Sequence, residues 1–200
     1  MFVFAVQMAL VRGCVDLAFA RKMLGDLAIH VPEAVASAAA LQDSIKEITK
    51  KIAGAESLFY IGRCSDYAMC CEGSLKLKEI SYIHSEAFAA GELKHGTISL
   101  VTEKTPVIAL LTVPEVFEKT VSGMREAAAR GAHVYAICTQ RALKAMDIPC
   151  DGMIVLPDVE EGMAVFPAST VMQLLAYSAA LIRGNDVDKP RNLAKSVTVE

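Results

Sequence analysis

The sequence predicts an α/β fold: a parallel sheet covered by helices on both faces and preceded by a helical segment. Three features predict it. Short, continuous apolar runs bounded by turn residues recur after residue 54, as strands buried on both faces require. Segments with helical spacing separate them, in the order strand, helix, strand, helix, strand, strand, helix. Hydrophobic residues make up 54% of the 200 residues and charged residues 22%, which supplies a core and excludes a disordered chain.

Taken in order, Met1–Leu24 reads as one helix, broken near Gly25. Its first eleven residues are almost wholly apolar, yet a bilayer span needs about 20. The run lacks the basic start and small-residue cleavage site of a secretory signal. A helix this apolar is expected to pack against a partner, part of which lies upstream. Val31–Ala53 reads as a second helix, opened by Pro32 and spaced by Ile45, Ile48 and Ile52. Ser57–Gly62 reads as a buried strand ending in a tight turn. Ser65 is expected to cap a helix running to about Tyr82. Pro106–Thr112, His133–Cys138 and Met153–Leu156 read as further strands. Pro114–Gly131 reads as a helix closed by Gly131. Gly162–Arg183 reads as a long apolar segment, helical at least from Pro167 and ended by Gly184. Asn185–Glu200 is polar and lacks helical periodicity. In such sheets ligands bind beyond the carboxyl ends of the strands, so the turn Gly62–Ser65 and the loop after Thr112 are the first places to look.

The net charge of -3, with no basic run, argues against a nucleic-acid partner. An anionic substrate would need local attraction. The six cysteines include no CxxC pair and read as reduced thiols, with no metal site signalled.

The helix after the first strand carries Glu72, Lys76 and Glu79. At roughly 100° per residue, Lys76 lies about 40° from Glu72, and Glu79 about 20° to the other side. The three charges form one stripe, spanning roughly 10 Å at about 1.5 Å per residue. Met69, Gly73, Leu77 and Ile80 form the neighbouring stripe that must face the sheet. By spacing alone this reads first as an ordinary surface Glu–Lys pair, worth a few tenths of a kcal/mol. It also suits acid–base work, since an ammonium beside two carboxylates can hold one as a base and steady an anion. His95, in GELKHG, reads as a loop histidine. Arg191 and Lys195 are cations four residues apart in a polar tail that reads as frayed. A lysine held in a dry pocket can lose its proton and attack a carbonyl.

Two segments, KLKEISYIHSEAFAAGELKHG and the terminal KPRNLAKSVTVE, resemble the isomerase half of the glutamine–fructose-6-phosphate aminotransferases, the family that forms glucosamine 6-phosphate. The resemblance runs from about Leu58 to Glu200 and is weaker in the N-terminal helices. It implies a flavodoxin-like SIS domain, the second of two in the family. The helical lead-in then occupies 1–53, the SIS domain 54–184 and an active-site tail 185–200. The upstream SIS domain, whose loops hold the sugar phosphate, and the glutaminase domain are expected to stand outside this chain.

The resemblance also implies roles. Glu79 matches the base that moves a proton between C1 and C2 of the sugar, with Glu72 and Lys76 as its helix partners. His95 matches a ring-opening histidine that the family supplies from the neighbouring subunit. Lys195 matches a lysine that forms a Schiff base with the C2 carbonyl of fructose 6-phosphate. Ala194 contributes a backbone contact to substrate, and Arg191 falls within the same tail motif. The implied partners are a sugar phosphate and a second copy of the chain, in the cytoplasm, with no cofactor, metal, nucleic acid or membrane. The alternative is a non-catalytic SIS module that binds a sugar phosphate; a related fructosamine-phosphate deglycase would carry a different tail. Two departures from the family stand out. Cys64 occupies the third position of the turn Gly62–Ser65, where glycine is usual. Thr97 follows LKHG, where proline is usual.

Overall fold

The computed structural model describes residues 1–160 and 162–191. Three helices lead in: α1 (Phe2–Val11), α2 (Leu17–Ala39) and α3 (Gln42–Ile52). The expected helix boundaries shift here. The first break falls at Gly13, which adopts a positive φ of 67°, and Asp16 then caps α2 by accepting from the Phe19 amide at 2.7 Å. Gly25 does not break the chain, and Pro32 lies inside α2 rather than opening a helix. Proline costs its helix one hydrogen bond there, and packing of Val31, Ala34 and Ala38 into the protein overrides that preference. α2 and α3 meet at a bend of 53°. α1 buries only Val6 and leaves Val3, Phe4, Met8 and Val11 exposed.

Five strands follow: β1 (Ser57–Gly62), β2 (His84–Ala89), β3 (Pro106–Leu111), β4 (His133–Thr139) and β5 (Gly152–Leu156). They form one parallel sheet in the order β2-β1-β3-β4-β5. β2 is the strand that sequence reading missed. Its HSEAFA run is half polar because it lies at the sheet edge, so it lacks the apolar continuity of the other four. The helices between strands are α4 (Ser65–Ser81), α5 (Phe117–Ala128) and α6 (Gln140–Ala145), and α7 (Val165–Ile182) follows β5. The segment expected to be one helix from Pro114 begins with a 3-10 turn, Pro114–Val116, before α5. Gly131, at a positive φ of 87°, lies beyond the Ala129 cap of α5.

Alternate strand residues feed two cores. Leu58, Tyr60, Ile108, Leu110, Ile137 and Ile154 face α3, α4 and α7. Phe59, Ile61, Val107, Ala109, Val134 and Ala136 face α5 and its neighbours. This is the two-sided burial that continuous apolar strands demand. α7 is long and apolar enough to cross a membrane, but Val171, Leu175 and Ala179 on its inner face are fully buried in the first core. α4 crosses α7 closely: a Cβ at Gly73 would meet the Met172 Sδ at 2.5 Å. On the other side Ser74 and Ser85 exchange hydrogen bonds, Ser74 Oγ donating to the Ser85 carbonyl at 2.8 Å and Ser85 Oγ to the Ser74 carbonyl at 2.9 Å. α4 is thereby fixed against both β2 and α7, and its remaining face is free to carry chemistry.

Candidate active site

That face carries the charged stripe. Lys76 Nζ lies 2.9 Å from Glu79 Oε2 and 3.7 Å from Glu72 Oε1. All three side chains are partly exposed, Glu79 least, at 28%. The hydrogen bond that Lys76 donates to Glu79, above the other influences, raises the Lys76 pKa and keeps its ammonium charged. The apolar stripe expected beside it is present: Gly73 and Leu77 are buried, and Met69 and Ile80 pack partly buried against the same core. One ammonium between two carboxylates can lend a hydrogen bond to either and steady negative charge on a nearby ligand.

The structure separates the other candidates. α4 starts at the carboxyl end of β1 and runs back, so Glu79 lies toward the opposite end of the sheet. His95 follows the carboxyl end of β2 in an exposed turn held by the His95 amide donating to the Glu92 carbonyl at 3.0 Å. Six strand residues, about 20 Å, lie between those two ends. A single copy of the chain therefore does not bring His95 to Glu79. Arg191 is described and lies beside α4, its guanidinium carbon 3.9 Å from the centre of the Tyr82 ring. Ala194 and Lys195 lie outside the described residues.

The carboxyl ends of β1 and β3, where the sheet order reverses, hold a group that sequence reading passed over. Asp66, in the first turn of α4, is 1% exposed and accepts from the amides of Thr112 at 2.8 Å and Val113 at 3.4 Å. The Thr112 hydroxyl makes a third, short contact to its other oxygen. Burial pushes the Asp66 carboxyl up to about 6, against the opposing pull of these hydrogen bonds. A lone Asp early in a helix reads as a complement to the helix dipole. Only the pairing of β1 with β3 brings Thr112 to it. Beside this latch an open cavity of about 420 Å³ is lined by Ser65, Thr112, Val113, Gly162 and residues of α2.

The turn leading into α4 differs from expectation in one respect. Ser65 is the first helical residue and no side chain caps the helix; the cap position is Cys64, with φ 54° and ψ −128°. Glycine adopts that conformation freely, whereas a side chain is strained by about 1–3 kcal/mol. The departure noted in the sequence thus falls on a position whose backbone favours glycine. Cys64→Gly is expected to stabilise the chain by about 1 kcal/mol net of the extra unfolded-state entropy, raising the melting temperature by about 2–4 °C. An unchanged or lower melting temperature would show that the turn relaxes around the cysteine. Thr97 opens a 3-10 turn, Thr97–Leu100, a position that also suits proline, so that departure is mild.

Strand order 2-1-3-4-5 makes this a flavodoxin-like α/β domain, and the helix after its first strand carries a Glu–Lys–Glu stripe on its free face. The chain belongs to the SIS domain family, whose profile matches residues 51–183. It is 46% identical over 196 residues to a glutamine–fructose-6-phosphate aminotransferase (isomerizing) of Symbiobacterium thermophilum, covering 98% of this chain and 32% of that protein. It is 42% identical over 200 residues to the enzyme of the same name from Caulobacter vibrioides, covering 100% of this chain and 33% of that protein. The chain therefore spans about a third of the length of these curated relatives. Among solved structures it resembles the C-terminal domain of glucosamine-fructose-6-phosphate aminotransferase from Francisella tularensis. The TM-score is 0.87 at 30% identity, covering 92% of this chain and 51% of that one.

Proposed function

We propose that this chain is the sugar-isomerising portion of an enzyme that converts fructose 6-phosphate and ammonia to glucosamine 6-phosphate. The observation that carries the reading is Lys76 held between Glu72 and Glu79 on the face of α4 left free by the sheet. The neutral Lys195 amine attacks C2 of the open-chain ketose, and loss of water leaves an imine. Ammonia replaces the lysine at C2. Glu79 takes a proton from C1 as the C2 nitrogen gains one, giving an enolamine. Return of a proton to C2, with loss of the O1 proton, leaves an aldehyde at C1 and an amine at C2. Lys76 orients Glu79 and balances its charge, and Glu72 holds the Lys76 ammonium from its other side. Ala194 and Arg191 hold the substrate from the tail.

His95 opens the sugar ring from a second copy of the chain, since an imidazole can both give and take a proton and the turn after β2 lies at the far end of the sheet from Glu79. A homodimer is thus part of the proposal, as are upstream SIS and glutaminase domains that supply the phosphate cradle and the ammonia. The exposed apolar face of α1 suits a helical lead-in at 1–53 that packs on such a neighbour. A cytoplasmic setting fits a sugar-phosphate substrate.

The test is reductive trapping. The chain, alone and joined to the upstream segment that its relatives carry, is incubated with fructose 6-phosphate and cyanoborohydride and then mapped by mass spectrometry. A hexose phosphate adduct on Lys195, absent in Lys195→Ala, is the expected result. Binding of fructose 6-phosphate with no adduct in either form would favour the non-catalytic sugar-phosphate module.

A further inference from the structure

The turn that carries His95 is held from two directions. β1 and β2 continue their pairing one step past the strand ends, where the Ala90 amide donates to the Gly62 carbonyl at 2.8 Å. The chain then turns at once, the Glu92 amide donating to the Ala89 carbonyl at 2.7 Å, and turns again at His95. Ala90 and Leu93 are fully buried in the core on the α5 side. Ala90 lies so close to α5 that a Cβ at Gly123 would meet its carbonyl oxygen at 2.9 Å. These contacts hold the inner side of the turn. Its outer residues, Glu92, Lys94 and His95, are exposed.

Gly91 lies between, and its open side is filled by Arg63 from the turn after β1. A side chain at Gly91 would collide with Arg63 Nη2, and Cζ and Nη1 lie 3.1 Å from the same place. The guanidinium thus takes the room that a Cβ would need. Its Nε is buried and makes no hydrogen bond among the described residues. A buried donor left unpaired costs stability rather than adding it. Hydrogen bonding of Nε therefore does not explain why Arg63 lies inward; the fit against Gly91 does. The two residues meet because Gly62 pairs with Ala89 across β1 and β2.

We propose that Arg63 is a positioning residue: its guanidinium clamps residues 91–96 and so fixes where His95 is presented to the neighbouring copy. The inference rests on the ring-opening role proposed for His95 above. His95 is four residues beyond Gly91, within the same run of turns. A displacement of about 1 Å can cost a reacting group about 10²-fold. Loss of the clamp therefore falls on ring opening and spares the proton transfer at Glu79 that follows it.

Arg63→Ala, Arg63→Lys, Gly91→Ala and the pair Arg63→Ala with Gly91→Ala test this in the chain joined to the upstream segment that its relatives carry. Hydrogen exchange of residues 91–96 reports the clamp. It is expected to rise about ten-fold in Arg63→Ala and in Gly91→Ala, whose methyl displaces the guanidinium, with the sheet strands unchanged. The pair is expected to exchange no faster than Arg63→Ala alone, because the methyl then enters vacated space. The second readout compares two substrates at saturation, with ammonia present, as amino-sugar phosphate formed. Fructose 6-phosphate must open its ring, whereas 5-deoxyfructose 6-phosphate lacks the hydroxyl that closes the furanose and is always open. Arg63→Ala is expected to lower turnover of the first about 10- to 100-fold and of the second less than about two-fold. Arg63→Lys, which keeps the charge and loses the planar fork, should fall between. Unchanged exchange in Arg63→Ala, or fully additive effects in the pair, would show that no clamp exists. Raised exchange with an equal loss on both substrates, or with no loss, would show that the clamp does not act through His95. Each of these results overturns the proposal. His95→Gln isolates the premise and should split the two substrates in the same way. If it loses neither, the ring-opening reading falls and the proposal with it, while the exchange data still decide whether the clamp is there.

Discussion

Glu79→Gln is expected to lower proton transfer between C1 and C2 of fructose 6-phosphate by about 10²–10⁴-fold, the usual contribution of a positioned acid–base group. The substitution keeps the size of the side chain, and its amide oxygen still accepts from Lys76. What it removes is the ability to hold the proton. Binding and imine formation at Lys195 should therefore persist, so a trapped adduct without isomerisation is the signature. The readout is deuterium uptake from solvent at C1 and C2, which follows the proton itself and distinguishes this enzyme's site from contaminating isomerase when both proteins are purified alike. Glu72→Gln is the control. Glu72 lies farther from Lys76, at 3.7 Å against 2.9 Å for Glu79, and its loss should cost far less. Equal uptake in wild type and Glu79→Gln would remove Glu79 from the chemistry.

Asp66→Ala is expected to cost about 2–4 kcal/mol of stability, because it strips the acceptors from two amides and a hydroxyl in a buried site. Asp66→Asn tests the charge separately. Its amide can accept from both amides and donate to the Thr112 hydroxyl, so the latch survives without ionising. The direction with pH follows from the raised carboxyl, about 6 in the fold against 3.8 for a free one. Between those values the folded chain binds more protons than the unfolded chain, so stability falls as pH rises. The contribution is full below about 4 and gone above about 6, on the order of 3 kcal/mol at most. Denaturant titrations across that window should show a steeper decline in wild type than in Asp66→Asn. Parallel curves would mean that the carboxyl is hydrated in solution.

Much of the fold was legible because its signals are local. Leu58–Ile61 and Pro106–Leu111 announce buried strands by apolar continuity alone, and β1 falls on its expected bounds of Ser57–Gly62. β2 was not legible, because an edge strand need not be apolar, and its partner residues in β1 lie 27 positions away. Helix ends in the lead-in were misplaced for a related reason. Pro32 and Gly25 are poor helix residues by themselves, and only the burial of neighbours such as Ala34 and Ala38 shows why α2 continues through them.

The candidate site divides along the same line. The sequence by itself determined the Glu72–Lys76–Glu79 stripe, since residues three and four apart share a helix face whatever surrounds them. It also marked Cys64 as a departure, though not as a strained one. The tertiary structure alone decided that Asp66 latches onto Thr112, that Asn185 closes α4, that Arg191 rests on Tyr82, and that His95 stands at the other end of the sheet from Glu79. Each of these depends on which strands pair and where α7 ends. The first three are contacts across 46 to 109 residues, and the fourth follows from the strand order; joint burial of the two cores sets them all, and no local pattern encodes them.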